Sequence, residues 1–452
     1  MPLPMPAPRP PGLWKRALLW LLLLGPFFFA SYGLATWVTA QRSDVGSLVF
    51  AWEAQMPFWA WTIVPYWSID LLYGLSLLIC SSREELDSHG RRLLSAQIVA
   101  VSCFLLFPLR FTFQRPEMDG LFGQLFELLG AFDKPFNQAP SLHIALLVIL
   151  WDCYARHARG LCRWLLHGWF ALIGLSVLTT WQHHFIDLPT GALLGWLCVW
   201  LWPAGQPSPL RLLQPAHEAR RRHLALSYAV GATLCTLTAL ALGGAWLWLL
   251  WPAISLLLVA LNYALLGAAG FQKAVDGRLS NAALWLLAPY LAAAWLNSRL
   301  WTYCQPRPDA VCENVWLGRL PSRHDLTHSR FVGVLDLCAE LPLCVPHGSL
   351  YRSLPLLDLV APNAAQCRAA AEAIEATQRR GPTLVCCAMG YSRSATAVAA
   401  WLLHTGRVSD VDSAIACLRQ ARPQIRLGPQ QRQTLEQMHS SGRTRKAVDH
   451  AD

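Results

Sequence analysis

Leu384-Val385-Cys386-Cys387-Ala388-Met389-Gly390-Tyr391-Ser392-Arg393-Ser394 runs from an apolar, strand-like segment into the helical run that continues to Leu403. A strand, a seven-residue loop and a helix start gather backbone N–H groups into an anion-binding nest with the helix dipole behind it. A thiolate at the beginning of such a loop is stabilised by that field and becomes nucleophilic near neutral pH. Cys387 holds this position, Gly390 permits the tight turn, and Arg393 follows Cys387 by six residues. That spacing lets a guanidinium fold back and hold two phosphate oxygens. Ser394 is placed to donate to the sulfur and ease its departure from a thiophosphate. Gly390 and Ser392 are the further candidate phosphate-binding positions. Cys386, one residue earlier, is expected to point into the sheet.

A bare Cys-x5-Arg is a weak signal, but the strand–loop–helix context with Gly-x-Ser-Arg-Ser raises its specificity. The segment resembles the dual-specificity branch of the cysteine-dependent phosphatases, whose signature is His-Cys-x5-Arg-Ser/Thr. Here Cys386 stands where that histidine is usual. The resemblance spans about residues 310–440, including Trp316-Leu317-Gly318-Arg319-Leu320-Pro321 and Ala421-Arg422-Pro423. It implies a Cys-phosphate intermediate and a general acid on a separate loop. Asp358, in Leu356-Leu357-Asp358-Leu359-Val360-Ala361-Pro362, sits where that acid belongs, and Asp336 inside an apolar run is its rival. Leu357–Asn363 with Ser-Arg-Ser-Ala-Thr is most similar to the mitochondrial PTP-like enzyme that dephosphorylates phosphatidylglycerophosphate. Loop positions Ala388, Met389 and Tyr391 carry no added base, which favours a substrate with a single phosphate over a polyphosphoinositide.

Around this loop the texture is a soluble α/β alternation. Strand-like runs occur at Val315–Leu320, Val332–Leu337 and Leu384–Cys387, and helical ones at Ala364–Arg380, Ser394–His404 and Asp410–Gln420. The chain as a whole has 452 residues, 54% of them apolar and 14% charged. Residues 1–300 carry 34 charged side chains and residues 301–452 carry 30, or about 11% against 20%. Two solvents are implied, bilayer for the first two thirds and water for the last. A soluble enzyme, a disulfide scaffold and a disordered chain are thereby excluded. The net charge of +10 falls largely in short clusters between apolar runs, where it reads as topology and not as a nucleic-acid footprint. With no CxxC pair, neither a zinc site nor any other metal or cofactor is expected.

Residues 1–13 read as a disordered proline-rich tail, and spans read at 17–38, 57–80, 93–113, 142–157, 161–181 and 186–203. Arg83, Arg91, Arg92, Arg156, Arg159 and Arg163 fall on one side, which the positive-inside rule makes cytoplasmic. Apolar runs at 225–242, 246–267 and 281–298 add two or three helices, and their count decides which side the last domain faces. The expected fold is a multi-pass α-helical membrane domain (14–205), additional transmembrane helices (206–300) and a soluble α/β domain (301–452). A bacterial inner membrane is the expected location.

A second constellation lies in the first part. Pro140-Ser141-Leu142-His143 opens the fourth span and His183-His184-Phe185-Ile186-Asp187 opens the sixth, both at the outer face. Asp187, four residues after His183, can fix the imidazole so that its other nitrogen acts as nucleophile. His143 can protonate a leaving oxygen, and Arg110 and Arg115 in the preceding outer loop can clamp phosphate. Ionisable groups at membrane depth are functional candidates by default. Residues 14–205 resemble the type-2 phosphatidic acid phosphatase superfamily, six-helix enzymes with Lys/Arg-Pro, Pro-Ser-x-His and His-x-x-x-Asp motifs. The resemblance implies a phosphohistidine at His183, Asp187 as its orienting group, His143 as acid and Arg115 as phosphate ligand. Pro108 stands where a lysine is usual, Leu142 where a glycine is, and Val177 where an arginine is. This reduced basic set looks more like the inositol-phosphoceramide and sphingomyelin synthase branch, which transfers a phospho-headgroup between lipids.

Taken together, the expected protein is a membrane-bound bifunctional phosphatase acting on phospholipids or their headgroups. A membrane-anchored protein Tyr/Ser/Thr phosphatase and a lipid headgroup phosphotransferase are the alternatives. Its partners are then a membrane and a phospholipid, or a phosphoprotein, and no nucleic acid.

Overall fold

The computed structural model describes residues 10–346 and 348–449, so most of the proline-rich tail lies outside the described residues. The chain divides into two compact units, residues 1–211 and 212–452. The apolar helices after residue 219 therefore belong to the same unit as the α/β domain.

The first unit is helical: α1 (Leu13–Ala40), α2 (Ile63–Ile79), α3 (Arg83–Leu106), α4 (Gly120–Phe132), α5 (Leu142–His157), α6 (Gly160–Thr179) and α7 (Asp187–Leu201). Five of the six expected runs lie within a few residues of α1, α2, α5, α6 and α7. The third differs, because α3 begins ten residues before the apolar run at 93–113. Ser82 caps it by accepting the Glu85 N–H, and Glu84 and Glu85 sit in the first turn, where the helix dipole favours acids. Polar residues in those turns are paired internally. The buried His89 lies 2.8 Å from Ser76 Oγ, and Arg92 donates to Asp152 at 2.8 Å and to the Trp202 carbonyl.

The second unit opens with α8 (Ala219–Leu242), α9 (Leu250–Leu261), α10 (Asn281–Leu286) and α11 (Ala288–Trp301). The run at 246–267 is a composite, in which 3₁₀ turns and a π turn (Asn262–Leu266) flank α9. The run at 281–298 is split at Leu287, where Pro289 lacks the N–H needed to continue a single helix. Among the described residues five helical stretches are long and apolar enough to cross a membrane: Leu13–Ala40, Ala60–Ile79, Gly160–Thr179, Ala219–Leu242 and Gly244–Phe271.

The α/β domain is built on a five-stranded mixed sheet. Its strands are β1 (Asp309–Cys312), β2 (Val315–Arg319), β3 (Gly333–Cys338), β4 (Leu350–Leu356) and β5 (Thr383–Cys387), in the order β1-β2-β5-β3-β4. Only β1 pairs antiparallel. The three strands legible in the sequence are the central ones, whose apolar runs reflect burial on both faces. Helices α12 (Arg323–Thr327), α13 (Ala364–Gln378), α14 (Arg393–His404), α15 (Val411–Ala421) and α16 (Pro429–Asp449) complete it. Side chains alternate across β5: Val385 and Cys387 join the core under α13 and α14, while Leu384 and Cys386 join the opposite core. Cys386 points into the sheet packing, as its position one residue from Cys387 requires. Ala294 of α11 packs against that second core, so an apolar helix covers part of the sheet.

Candidate functional site

Strand β5 delivers Cys387 to the start of the loop, and α14 begins six residues later at Arg393. Cys387 Sγ accepts the Gly390 N–H at 3.3 Å and lies 3.3 Å from Ser394 Oγ. Both groups are placed to donate to the sulfur. Gly390 adopts φ +75°, and a Cβ there would meet the Gly318 carbonyl carbon at 2.3 Å. A side chain is excluded by backbone from both directions, so the tight loop requires glycine. Ser392 ends the loop at the N-terminus of α14.

Arg393 is buried, and its donors are almost fully used. Nη1 donates to Glu340 Oε2 at 2.8 Å and to the Leu356 carbonyl at 2.9 Å. Nη2 donates to Glu340 Oε1 at 2.6 Å and lies 3.0 Å from Asp358 Oδ1. Nε is buried with no partner among the described residues. That N–H is the guanidinium donor left for an incoming anion. Burial pushes the Glu340 carboxyl up, but the charge and hydrogen bonds of Arg393 outweigh it and hold the group below its ordinary value. Glu340 was invisible to sequence reasoning. The available signal was a lone glutamate closing the apolar run Val334–Leu341.

The two aspartates part company. Asp336 is fully buried and accepts from Lys273 Nζ at 2.6 Å and Tyr351 Oη at 2.8 Å. Asp358 reaches Arg393 and keeps some solvent contact. Burial raises its pKa, and the Glu340 charge adds to this against the opposing pull of Arg393. A carboxyl that keeps its proton to higher pH than usual suits a general acid.

Around the loop, Arg422 stacks its guanidinium 5.1 Å from the Tyr391 ring centroid and donates to Asp309 at 2.6 Å. The Arg426 N–H donates to the Tyr391 carbonyl at 2.8 Å. These contacts fix the outer rim of the loop.

In the first unit, His183 Nδ1 lies 3.0 Å from Asp187 Oδ2 and its Nε2 lies 3.2 Å from Ser141 Oγ. His143 stacks on Tyr66 with ring centroids 4.2 Å apart, and its buried Nε2 has no partner among the described residues. His143 and His183 line one cavity of about 570 Å³, together with Tyr32, Tyr66, Asp70 and Asp133. The two arginines expected as phosphate ligands are not in that lining. Arg110 is exposed, and Arg115 stacks on Phe126 and donates to the Trp181 carbonyl at 3.3 Å. His184, which the sequence left without a role, is held between Glu53 at 3.0 Å and Thr112. No group of three or more metal-ligating side chains occurs among the described residues.

Residues 331–441 match the dual specificity phosphatase catalytic domain. Among solved structures, PTPMT1 is 24% identical to this chain, with 31% of this chain and 99% of that one covered and a TM-score of 0.29. Tk-PTP in its active form is 25% identical, over 30% of this chain and 98% of that one, with a TM-score of 0.28. Human DUSP28 is 21% identical, over 30% and 99%, with a TM-score of 0.28. No curated protein matches the chain.

Proposed function

We propose, from a chain whose residues 331–441 form a cysteine-based phosphatase domain of the dual-specificity type, that the protein is a membrane-bound hydrolase of phosphate monoesters carried on lipid headgroups. The observation that carries this reading is the convergence of Cys387 Sγ, the open Arg393 Nε–H and the Asp358 carboxyl, in a unit whose other half is apolar helix.

The chemistry follows from these groups. The Cys387 thiolate attacks phosphorus while loop N–H groups and Arg393 hold the non-bridging oxygens. The P–O ester bond breaks, and the Asp358 carboxyl gives its proton to the leaving alcohol oxygen. Water then attacks the cysteinyl phosphate, the Asp358 carboxylate takes its proton, and inorganic phosphate leaves. Ser394 donates to the departing sulfur and restores the thiolate. A domain tethered to a bilayer meets lipid at high effective concentration, and the uncharged side chains at 388–391 suit a single phosphate, as on phosphatidylglycerophosphate.

The second site is assigned to phosphoryl transfer from lipid through His183, with Asp187 as its orienting partner and His143 as acid. The cavity wall carries the carboxyls of Asp70 and Asp133 and no arginine or lysine, which suits the single negative charge of a phosphodiester headgroup better than a dianionic monoester and supports the transferase reading there.

The test is phosphate release by the detergent-solubilised full chain from phosphatidylglycerophosphate in mixed micelles, against release from a phosphotyrosine peptide. Vanadate-sensitive turnover of the lipid that is lost in Cys387→Ser supports the proposal. Peptide turnover without lipid turnover refutes it.

A further inference from the structure

Lys273 lies outside residues 331–441, which match the phosphatase domain, yet its side chain is fully buried against Asp336 of that domain. It follows the 3₁₀ turn Gly267–Phe271 that ends the second composite apolar run. A bridge between Lys273 and Leu279 closes a tight turn ahead of α10. The lysine ammonium has three N–H donors, and each finds an acceptor. Nζ donates to Asp336 Oδ2 at 2.6 Å, to the Cys338 carbonyl at 2.7 Å and to the Leu341 carbonyl at 2.7 Å. No donor is left over.

The acceptors define what the lysine holds. Cys338 ends β3 and Leu341 follows just beyond, so the two carbonyls bracket Glu340. Asp336, on the same strand, accepts the Cys338 N–H at 2.9 Å through its other oxygen. The Leu343 N–H donates to the Gly277 carbonyl at 2.9 Å. Gly277 has φ +85°, and a Cβ there would run into the Leu343 carbonyl oxygen and the Tyr351 hydroxyl. The loop 338–343 is thus tied at both ends to residues 273–277. Between the ties, the Glu340 carboxylate takes both Nη groups of Arg393, at 2.8 and 2.6 Å. That two-point pairing fixes the plane of the guanidinium and leaves Nε without a partner among the described residues.

We propose that Lys273 is a positioning residue of the Cys387 site, holding the loop of Glu340 so that Arg393 is set to receive a phosphate before the substrate arrives. This rests on the reading of Cys387 and Arg393 as a phosphatase site, and it extends that site to a residue of the helical segment. A guanidinium already fixed in place loses little freedom when the anion binds. The competing role is stability alone, since a buried ion pair with Asp336 acts on the fold whatever the loop does. The two roles part in the double variant Lys273→Met with Asp336→Leu. It removes both charges together, which recovers stability, yet the carbonyls of Cys338 and Leu341 lose the ammonium that held them.

The experiment titrates the full chain in detergent micelles with inorganic tungstate, a tetrahedral oxyanion that carries no ester to cleave. Binding is read as protection of Cys387 from iodoacetamide, by mass spectrometry of the peptide that contains it, and the melting temperature is measured on the same samples. The double variant is expected to recover most of the melting temperature lost in Lys273→Met. Its Kd for tungstate at Cys387 is expected to stay raised about tenfold over the unaltered chain, the worth of one charge-assisted hydrogen bond. Tungstate affinity equal to that of the unaltered chain, in a double variant that melts normally, overturns the proposal and leaves Lys273 a role in stability alone. A double variant no more stable than Lys273→Met also overturns it, because the lysine then acts on the fold as a whole. Tungstate that fails to protect Cys387 in the unaltered chain overturns the phosphatase reading, and this proposal with it.

Discussion

Replacing Glu340 with glutamine keeps the shape of the side chain and removes one negative charge from beside Arg393. Glu340 Oε1 and Asp358 Oδ1 lie 2.6 and 3.0 Å from the same Nη2, so the two carboxylates are about 5 Å apart. At that separation, with an effective dielectric of about 20, their repulsion is roughly 3 kcal/mol. Asp358 keeps some solvent contact, and screening leaves about 1–1.5 kcal/mol, or about one pH unit. The sign follows from the causes. Burial raises the Asp358 pKa first, Glu340 raises it further, and Arg393 opposes both. Removing the Glu340 charge frees Arg393 to act on Asp358 alone, so the Asp358 proton is lost at lower pH. The alkaline limb of kcat, which requires protonated Asp358, is then expected to move down by about one unit. The assay is kcat against pH on an alkyl phosphate lipid, because a poor leaving group needs the acid, with near-UV circular dichroism to show that the variant is folded. A limb that stays in place or moves up refutes the assignment of Asp358 as the acid under Glu340 control.

Three further outcomes are expected. Ser394→Ala removes the hydroxyl beside Cys387 Sγ and slows hydrolysis of the cysteinyl phosphate about 10- to 100-fold, seen as a pre-steady-state burst followed by a slow phase. Lys273→Met leaves Asp336 buried without its counter-charge, costing about 3–5 kcal/mol, while Lys273→Met with Asp336→Leu recovers much of the loss; thermal melting of the full chain reads both. His183→Ala abolishes headgroup transfer from a diester lipid and leaves the vanadate-sensitive phosphate release at Cys387 intact, as separate radiolabelled products show.

What the sequence made legible was local. The Cys387 loop, its strand and its helix are contiguous, so spacing alone locates nucleophile, arginine and serine. Strand β4 escaped because Arg352, Ser353 and Pro355 break its alternation, as an edge strand tolerates. Helix α3 starts ten residues before its apolar run because its first turns are polar and hold their partners inside the unit. Glu340 lies 53 residues from Arg393, and only the fold brings them together. The same holds for Lys273, a single cation between apolar runs that the fold brings to Asp336. Arg110 and Arg115 show the opposite case, being suitable residues in a suitable loop that are not in the lining of the cavity of His143 and His183.

The most direct measurement is acid-quench mass spectrometry of the full-length Ser394→Ala chain mixed for milliseconds with phosphatidylglycerophosphate in micelles. A phosphate adduct is expected on the peptide containing Cys387, with an amplitude approaching one per chain and no adduct in Cys387→Ser. Lipid turnover with no adduct on Cys387, or with the adduct on another residue, would contradict the assignment of Cys387 as the nucleophile of a lipid phosphatase.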